Sequence, residues 1–281
     1  MTQTVLITGS SSGFGRRTVE RFLIEGWNVV ATLRDPAQWS GAPSERLLVQ
    51  ALDVRDEASV AAAVTAATTR FGRLDVVVNN AGMGLFSVFE TTPQAVIEEL
   101  FDTNVFGPMR LVRAALPVFR GQGGGRIVNV TSSSAVLPTP LQAAYGASKG
   151  ALHNFSEAVG YELAGQNVRI AVVEPGFVPT TGFFAQTSKR FEGIEAPPAY
   201  LPFIQQQMAA FQVEPPAGYL GTEDDVAAAV FAASTDDTGL TRFRVGGDTA
   251  DAARARHLPD ADFDAWRTTF FSPTVAQRSG K

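Results

Sequence analysis

The 281-residue chain contains no cysteine, which excludes disulfides, thiolate metal sites and a cysteine nucleophile. Histidine occurs only at His153 and His257, so neither a histidine-rich metal site nor a two-histidine mechanism is expected. The net charge of −5 shows no basic excess for nucleic acid or an anionic membrane surface. No apolar run approaches the roughly 20 residues of a membrane helix, and the N-terminus lacks signal-peptide features. We therefore expect a cytoplasmic globular protein without a metal or a membrane span.

Short apolar strands alternate with helical segments along most of the chain. Strands that are rich in Val, Ile and Leu on both faces predict a parallel sheet covered by helices on each side, which is a doubly wound α/β fold. No repeat or linker divides the chain, so residues 1–281 are predicted to form a single domain. The predicted strands are 4–8, 28–33, 47–52, 74–79, 127–131, 168–173 and 242–247, and the predicted helices are 13–25, 57–71, 94–119, 143–164, a capped helix from Thr222, and 260–270.

A glycine-rich turn joins the first strand to the first helix, reading Thr8-Gly-Ser-Ser-Ser-Gly-Phe-Gly15. Glycines at this place let the backbone approach a pyrophosphate, and the helix N-terminus offers free N–H groups and a positive dipole end. The spacing differs from Gly-x-Gly-x-x-Gly, and the Gly-Lys-Ser/Thr of a P-loop is missing, so NTP hydrolysis is not expected. A turn that binds no ligand is the alternative.

Tyr145 and Lys149 lie four residues apart and would share one face of a helix. At 4 Å and an effective dielectric constant near 20, an ammonium attracts a phenolate by about 4 kcal/mol, or roughly three pKa units. That attraction predicts a Tyr145 pKa lowered toward neutrality, as acid–base catalysis requires. An ordinary surface pair is the alternative.

Together these residues resemble a short-chain dehydrogenase/reductase of the classical type, over about residues 3–180 with weaker support at 221–248. The resemblance is closest to the branch of 17β-hydroxysteroid and retinol dehydrogenases, on Phe14 and the stretch 242–248. The matching elements are the glycine turn, Asn79-Asn80-Ala81-Gly82, Asn104 in Asp-Thr-Asn-Val, Ser132 thirteen residues before Tyr145, the Tyr-x-x-x-Lys pair, and the stretch Pro175-Gly-Phe-Val-Pro-Thr180.

The resemblance implies hydride transfer between nicotinamide C4 and a carbonyl or alcohol carbon. Tyr145 would be the general acid or base, Lys149 would lower its pKa and hold the ribose, and Ser132 would hydrogen-bond the substrate oxygen. Asn104 would hold a water that relays protons, although an ordinary buried amide is the alternative. The implied cofactor-binding residues are Gly9, Ser11, Ser12, Gly13, Phe14, Gly15, Arg34, Asp53, Val54, Asn80, Ala81, Gly82, Tyr145, Lys149, Pro175, Gly176, Val178 and Thr180.

Arg34 favours NADP over NAD as the cofactor. The second strand ends at Leu33, where NAD-selective enzymes place a carboxylate, and Arg34 follows with a guanidinium suited to a 2′-phosphate. Asp35, one residue later, favours NAD instead, because a carboxylate would repel a 2′-phosphate. Asp53 could contact the adenine or could be a turn or helix cap before Glu57.

The segment 181–220 would be a helical substrate-binding lid by the same resemblance. Aromatic residues there predict an apolar ketone or secondary alcohol of aromatic, steroid-like or lipid-like character. The alternative is that these aromatics form a subunit interface or close the core. The proposed lining residues are Phe183, Phe184, Phe191, Phe203, Ile204, Met208 and Phe211 from the lid, Phe86 and Phe89 opposite, and Val136 and Leu137 beyond Ser132.

The expected partners are a small-molecule carbonyl or alcohol substrate and further copies of the chain in a homo-dimer or homo-tetramer. A non-catalytic dinucleotide-binding sensor on the same fold is the alternative function, although it need not keep the proton-relay residues. A third is a lyase resembling the halohydrin dehalogenases, which replace the lysine by arginine.

Overall fold

Seven parallel strands form one sheet in the computed structural model, which describes residues 2–182, 187 and 195–271. The strand order is β3-β2-β1-β4-β5-β6-β7, which confirms the predicted doubly wound parallel sheet. The strands are β1 Thr4–Ile7, β2 Asn28–Leu33, β3 Leu47–Ala51, β4 Val76–Asn79, β5 Gly125–Val130, β6 Val168–Pro175 and β7 Arg242–Val245.

Helices cover both faces of this sheet. In the described part of the chain they are α1 Gly13–Ile24, α2 Glu57–Phe71, α3 Gln94–Phe101, α4 Gly107–Gln122, α5 Ala143–Leu163, α6 Leu201–Phe211, α7 Glu223–Thr235, α8 Gly247–Ala255 and α9 Asp260–Phe270. None of them is long and apolar enough to cross a bilayer.

Alternate residues of each central strand belong to different cores. Val5 and Ile7 pack with α1 and α7, whereas Leu6 on the same strand packs with α2 and α4. Because successive strand side chains point to opposite faces, a strand that is apolar throughout is buried on both sides. This is the physical reason why the unbroken Val, Ile and Leu runs identified the fold.

The order of the strands reverses between β1 and β4. From β1 the chain builds outward to β2 and β3, and from β4 it builds the other way to β7. The loops leaving the carboxyl ends of β1 and β4 therefore diverge and leave a crevice, which is where open α/β sheets bind ligands.

Two helical features differ from the sequence prediction. The region predicted as one helix over 94–119 is α3 and α4 joined by a π-helical turn, Asp102–Phe106. Helix α8 was not predicted, because it follows β7 through only Gly246. Helix α6 lies within 181–220, the segment predicted as a helical lid. The predicted capped helix at Thr222 is present, with a reciprocal capping box between Thr222 and Asp225.

Candidate active site

The glycine turn after β1 is packed tightly against the loop that leaves β4. Thr8 Oγ1 accepts hydrogen bonds from the backbone N–H groups of Asn80 and Ala81, at 3.0 and 2.9 Å. The Asn80 side chain donates to the Thr8 carbonyl at 2.8 Å and to the Gly9 carbonyl at 3.2 Å. A Cβ on Gly15 would lie 2.2 Å from the Gly9 oxygen, so this packing requires glycine.

The backbone of the same turn is unobstructed at the place where a dinucleotide's pyrophosphate would lie. Gly9 and Gly13 have φ of +69° and +53°, a region that favours glycine. A Cβ on Gly13 would meet no atom within 4 Å, and Ser12 makes no side-chain cap on α1. The first turn of α1 therefore presents its N–H groups and dipole to the crevice, which fits an anionic dinucleotide.

A cavity of about 540 Å³ follows this crevice. Most of the predicted cofactor-binding residues line it, namely Gly9, Ser11, Ser12, Gly13, Phe14, Gly15, Arg34, Asp53, Val54, Asn80, Ala81, Gly82, Tyr145 and Lys149. Of the other four, Pro175, Gly176 and Val178 line the second cavity described below, and Thr180 is exposed. Leu33 also lines the first cavity, as do residues that the sequence did not single out, namely Gln38, Leu52, Arg55, Met83, Glu99, Thr103, Val130, Thr131, Thr181 and Gly182.

Arg34 is exposed at the end of β2 and lines this cavity. Asp35, which argued against NADP, instead caps the following turn: its carboxylate accepts from the Ala37 N–H at 3.0 Å and from the Gln38 side chain at 3.4 Å. The competing carboxylate is thus engaged in local structure, while the Arg34 guanidinium borders the nucleotide cavity.

Asp53 pairs with Arg55 rather than capping a helix. Arg55 donates to both Asp53 oxygens, and this hydrogen bonding, with Arg34 nearby, lowers the pKa of the carboxyl. The cap of α2 is Asp56, which accepts from the N–H groups of Ala58 and Ser59.

Ser132 and Tyr145 meet at the carboxyl ends of β5 and the start of α5. Their hydroxyls are hydrogen-bonded, and Tyr145 is only 7% exposed. Burial raises the pKa of Tyr145 to about 12, an effect that outweighs the lowering by Ser132. The expectation that Lys149 pulls this pKa toward neutrality is therefore wrong for the structure as described.

The position of Lys149 is the reason why the pKa of Tyr145 is not lowered as expected. Its Nζ donates to the Val130 carbonyl at 3.0 Å and lies 6.0 Å from the centre of the Tyr145 ring. Burial lowers the pKa of Lys149 to about 8. The helical spacing brings the two side chains to one face, but the ammonium is aimed at the β5 carbonyl rather than the phenol oxygen.

Asn104 sits in the π-helical turn, 1% exposed, with its amide fully used. Oδ1 accepts from the Met83 N–H at 2.8 Å, and Nδ2 donates to the Met83 carbonyl at 2.9 Å and to Ser148 Oγ at 3.0 Å. Its side chain thus fixes the loop after β4 to helix α5, which carries Tyr145 and Lys149. Asn104 is thus the buried amide given as the alternative, and the water relay stays a prediction. A Cβ on Gly82 would lie 3.5 Å from both Asn104 Oδ1 and Lys149 Nζ.

The loop after β6 is held by a carboxylate that the sequence did not identify as part of the site. Asp248 accepts from the Phe177 N–H at 2.7 Å, and burial raises its pKa. A Cβ on Gly176 would lie 1.9 Å from Asp248 Oδ1, so only glycine fits beside it. Thr180 is exposed, and it is the next residue, Thr181, that lines both cavities described here.

A second cavity, of about 210 Å³, adjoins the first. The two share Phe14, Thr131, Tyr145 and Thr181, so they meet at Tyr145. The second cavity is also lined by Ser132, Ser133, Ser134, Leu137, Thr139, Gln142, Pro175, Gly176, Phe177, Val178, Phe211, Val213, Pro215, Tyr219, Leu220, Asp248, Phe270 and Phe271.

The predicted substrate wall is found only in part. Phe211 and Leu137 line the second cavity, and Phe86 stacks edge-on against Phe211 with centroids 5.4 Å apart. Phe89, Phe203 and Met208 are instead 65%, 40% and 45% exposed. Val136 borders an outer groove, as does Phe203, and Ile204 is half-buried. Phe183, Phe184 and Phe191 lie outside the described residues.

The C-terminal helix supplies a wall that the sequence did not predict. Phe270 and Phe271 of the α9 end line the second cavity, and a run of ring contacts joins Phe263, Trp266 and Phe270. Leu137, five residues beyond Ser132, packs into the same cluster. The sequence alone could not predict this contact, because Leu137 and α9 are about 130 residues apart along the chain and meet only in the folded protein.

Comparison with known proteins agrees with this architecture. A model of the short chain dehydrogenase family matches residues 3–190. The chain is 37% identical over 181 residues to 3-ketodihydrosphingosine reductase of Bacteroides thetaiotaomicron, covering 64% of this chain and 65% of the relative. It is 38% identical over 188 residues to retinol dehydrogenase 8 of Homo sapiens, covering 63% and 60%. The matches thus span a little less than two thirds of these relatives' lengths.

Solved structures match over more of the chain. A short-chain dehydrogenase from Streptomyces avermitilis is 30% identical with a TM-score of 0.77, over 96% of this chain and 94% of that one. ElxO, solved with NADP, is 26% identical with a TM-score of 0.73, over 89% and 100%. A 3-ketoacyl-(acyl-carrier-protein) reductase from Brucella melitensis, solved with NADH, is 31% identical with a TM-score of 0.72, over 87% and 97%.

Proposed function

This chain belongs to the short-chain dehydrogenase family, and we propose that it is an NADP(H)-dependent oxidoreductase acting on an apolar ketone or secondary alcohol. One observation carries the proposal: the nucleotide cavity and the apolar cavity meet at Tyr145, beside Ser132. A dinucleotide in the first and a carbonyl compound in the second would have their reacting carbons side by side at an acid–base pair. The relatives' names and bound nucleotides support a nicotinamide dinucleotide in general.

The nucleotide would be held by this chain's backbone and by a few charged groups. The first turn of α1 would bind the pyrophosphate, and Lys149 would reach the ribose on the nicotinamide side. When bound, NADPH supplies the hydride. Arg34 supports NADP, because a guanidinium binds a phosphate with charged, bidentate hydrogen bonds. Nearby, the Asp35 carboxylate caps the following turn, and the Asp53 carboxylate pairs with Arg55.

Ser132 and Tyr145 would handle the substrate oxygen. The Ser132 hydroxyl donates a hydrogen bond to that oxygen, and Tyr145 delivers its phenolic proton as charge develops there. Since burial raises the pKa of Tyr145 to about 12, the phenol is protonated at neutral pH and suits reduction. Lys149, with a pKa of about 8, can exchange protons at physiological pH.

The apolar class of the substrate rests on the second cavity. Phe177, Phe211, Leu220, Phe270 and Phe271 give it a largely aromatic wall. Such a wall favours an aromatic or lipid-like ketone over a sugar or a short hydroxy acid.

The test is a kinetic panel of aryl ketones and sugars with NADPH and NADH. We expect aryl ketones to exceed sugars in kcat/KM by at least tenfold, with NADPH preferred. Arg34→Ala should lower the NADPH-to-NADH ratio of kcat/KM about tenfold, since a charged hydrogen-bond pair is lost. Arg113→Ala, at an exposed position on α4, is the matched control. Faster turnover of sugars, or a cofactor ratio unmoved by Arg34→Ala, would contradict the respective assignment.

A further inference from the structure

A polar strip crosses the apolar cavity next to the catalytic pair. Ser134 Oγ donates to Gln142 Oε1 at 2.7 Å and lies 3.4 Å from Thr139 Oγ1. The Ser134 backbone N–H donates to Ser132 Oγ at 3.2 Å, which ties the strip to the catalytic serine. These side chains line the same cavity as Tyr145.

Gln142 is the member of this strip with binding capacity left. It lies at the N-cap position of α5, three residues before Tyr145, and residues three apart on a helix are neighbours. Its Oε1 is held by Ser134, whereas its Nε2 has no hydrogen-bond partner among residues 2–182, 187 and 195–271. This hydrogen bond restricts rotation of the planar amide and so limits the directions in which Nε2 can donate.

The surroundings of Nε2 favour ligands that carry a hydrogen-bond acceptor. Apolar side chains, among them Leu137, Phe211 and Phe271, line the same cavity. A polar group that loses water there without gaining a partner costs free energy, so a ligand with an acceptor at that place is preferred over one without. The strip also borders an open groove of about 810 Å³, which leaves room for a substituent to extend outward.

We infer that Gln142 is a specificity-determining residue whose amide N–H binds a second hydrogen-bond acceptor on the substrate. The substrate class is then a ketone with an apolar group on one side of the carbonyl and a carbonyl-type acceptor, such as an ester, on the other. This inference rests on the proposed function, because it assumes that the reacting carbonyl lies at Ser132 and Tyr145.

The test compares two ketones of equal chain length, ethyl benzoylacetate and hexanophenone, in NADPH-dependent reduction. The ester also makes its ketone intrinsically more reactive, so the readout is the ratio of the two kcat/KM values in each variant relative to wild type. We expect Gln142→Leu to lower this ratio about tenfold, the value of one ordinary hydrogen bond. Gln142→Glu, which replaces the donor with an acceptor at the same size, should lower it further. Gln205→Leu, on the exposed side of α6, should leave the ratio at the wild-type value.

Each outcome separates the inference from its premise. Suppose that wild type reduces hexanophenone and that the ratio of the two kcat/KM values stays within twofold of wild type in both Gln142 variants. This result would overturn the role of Gln142 and leave the proposed function standing. Reduction of neither ketone by the wild-type protein would overturn the proposed function, and the inference with it. Circular dichroism of both Gln142 variants checks that a lowered ratio comes from folded protein.

Discussion

Lys149 carries a buried ammonium whose energetic cost can be measured. The residue is 5% exposed, and burial lowers its pKa from the ordinary 10.5 to about 8. Each pKa unit is worth about 1.4 kcal/mol, so the folded state is penalised by about 3 kcal/mol when the group is charged in both states. Between pH 8 and 10.5 the unfolded chain still binds this proton while the folded chain has released it, so stability rises with pH in that window.

Replacing Lys149 by methionine removes this titration. We expect the free energy of unfolding of wild type minus that of Lys149→Met to increase by about 2–3 kcal/mol from about pH 7 to pH 10, measured by urea denaturation without nucleotide. Lys149→Arg is the control, because its guanidinium stays charged throughout. The free energy of unfolding of wild type minus that of Lys149→Arg should also increase by about 2–3 kcal/mol from pH 7 to pH 10, although its value at pH 7 will differ. A difference that stays flat within about 0.5 kcal/mol for both variants would refute the buried-ammonium account.

Three further substitutions test other parts of the site. Gly15→Ala should weaken NADPH binding at least tenfold by calorimetry, because its Cβ would lie 2.2 Å from the Gly9 oxygen. Gly121→Ala, whose Cβ would meet no atom within 4 Å, should leave binding unchanged. Equal affinities of the two variants would contradict the packing at Gly15. Asp248→Ala should lower kcat/KM about tenfold, because the loop after β6 loses its 2.7 Å anchor; wild-type kinetics would show that the loop is held otherwise. Phe271→Ala should raise kcat/KM for larger aryl ketones relative to acetophenone, and an unchanged ranking would remove α9 from the substrate wall.

The fold was accessible from the sequence because its signals are local. Apolar runs such as β4 and β5 are buried on both faces, and the turns beside them carry glycines whose φ or packing admits nothing else. The nucleotide side of the site was accessible for the same reason, since Gly9 to Gly15, Arg34 and Asn80 each follow directly on a strand end. Position along a predicted strand is enough to place such residues at one edge of the sheet.

The substrate side was less accessible because it depends on which way side chains face. Composition could not show that Phe203 and Met208 of α6 are exposed while Phe211 lines the cavity. Nor could it show that α9, far along the chain, packs on Leu137. The pKa of Tyr145 was misjudged because helical spacing gives proximity to Lys149, whereas the direction of the shift depends on burial and on where Nζ points.

Transfer of deuterium from the cofactor to the substrate shows whether hydride moves between a nucleotide in the first cavity and a ketone in the second. NADPH deuterated at nicotinamide C4, in each of its two epimers, is incubated with an aryl ketone and the wild-type protein, and the alcohol is analysed by mass spectrometry. We expect one deuterium on the carbinol carbon from one epimer, and no alcohol from Tyr145→Phe although that variant still binds NADPH. We also expect normal labelling by Tyr161→Phe, whose ring is 86% exposed. Binding of NADPH without any labelled alcohol across the ketone panel, or labelling by Tyr145→Phe at the wild-type rate, would contradict this mechanism.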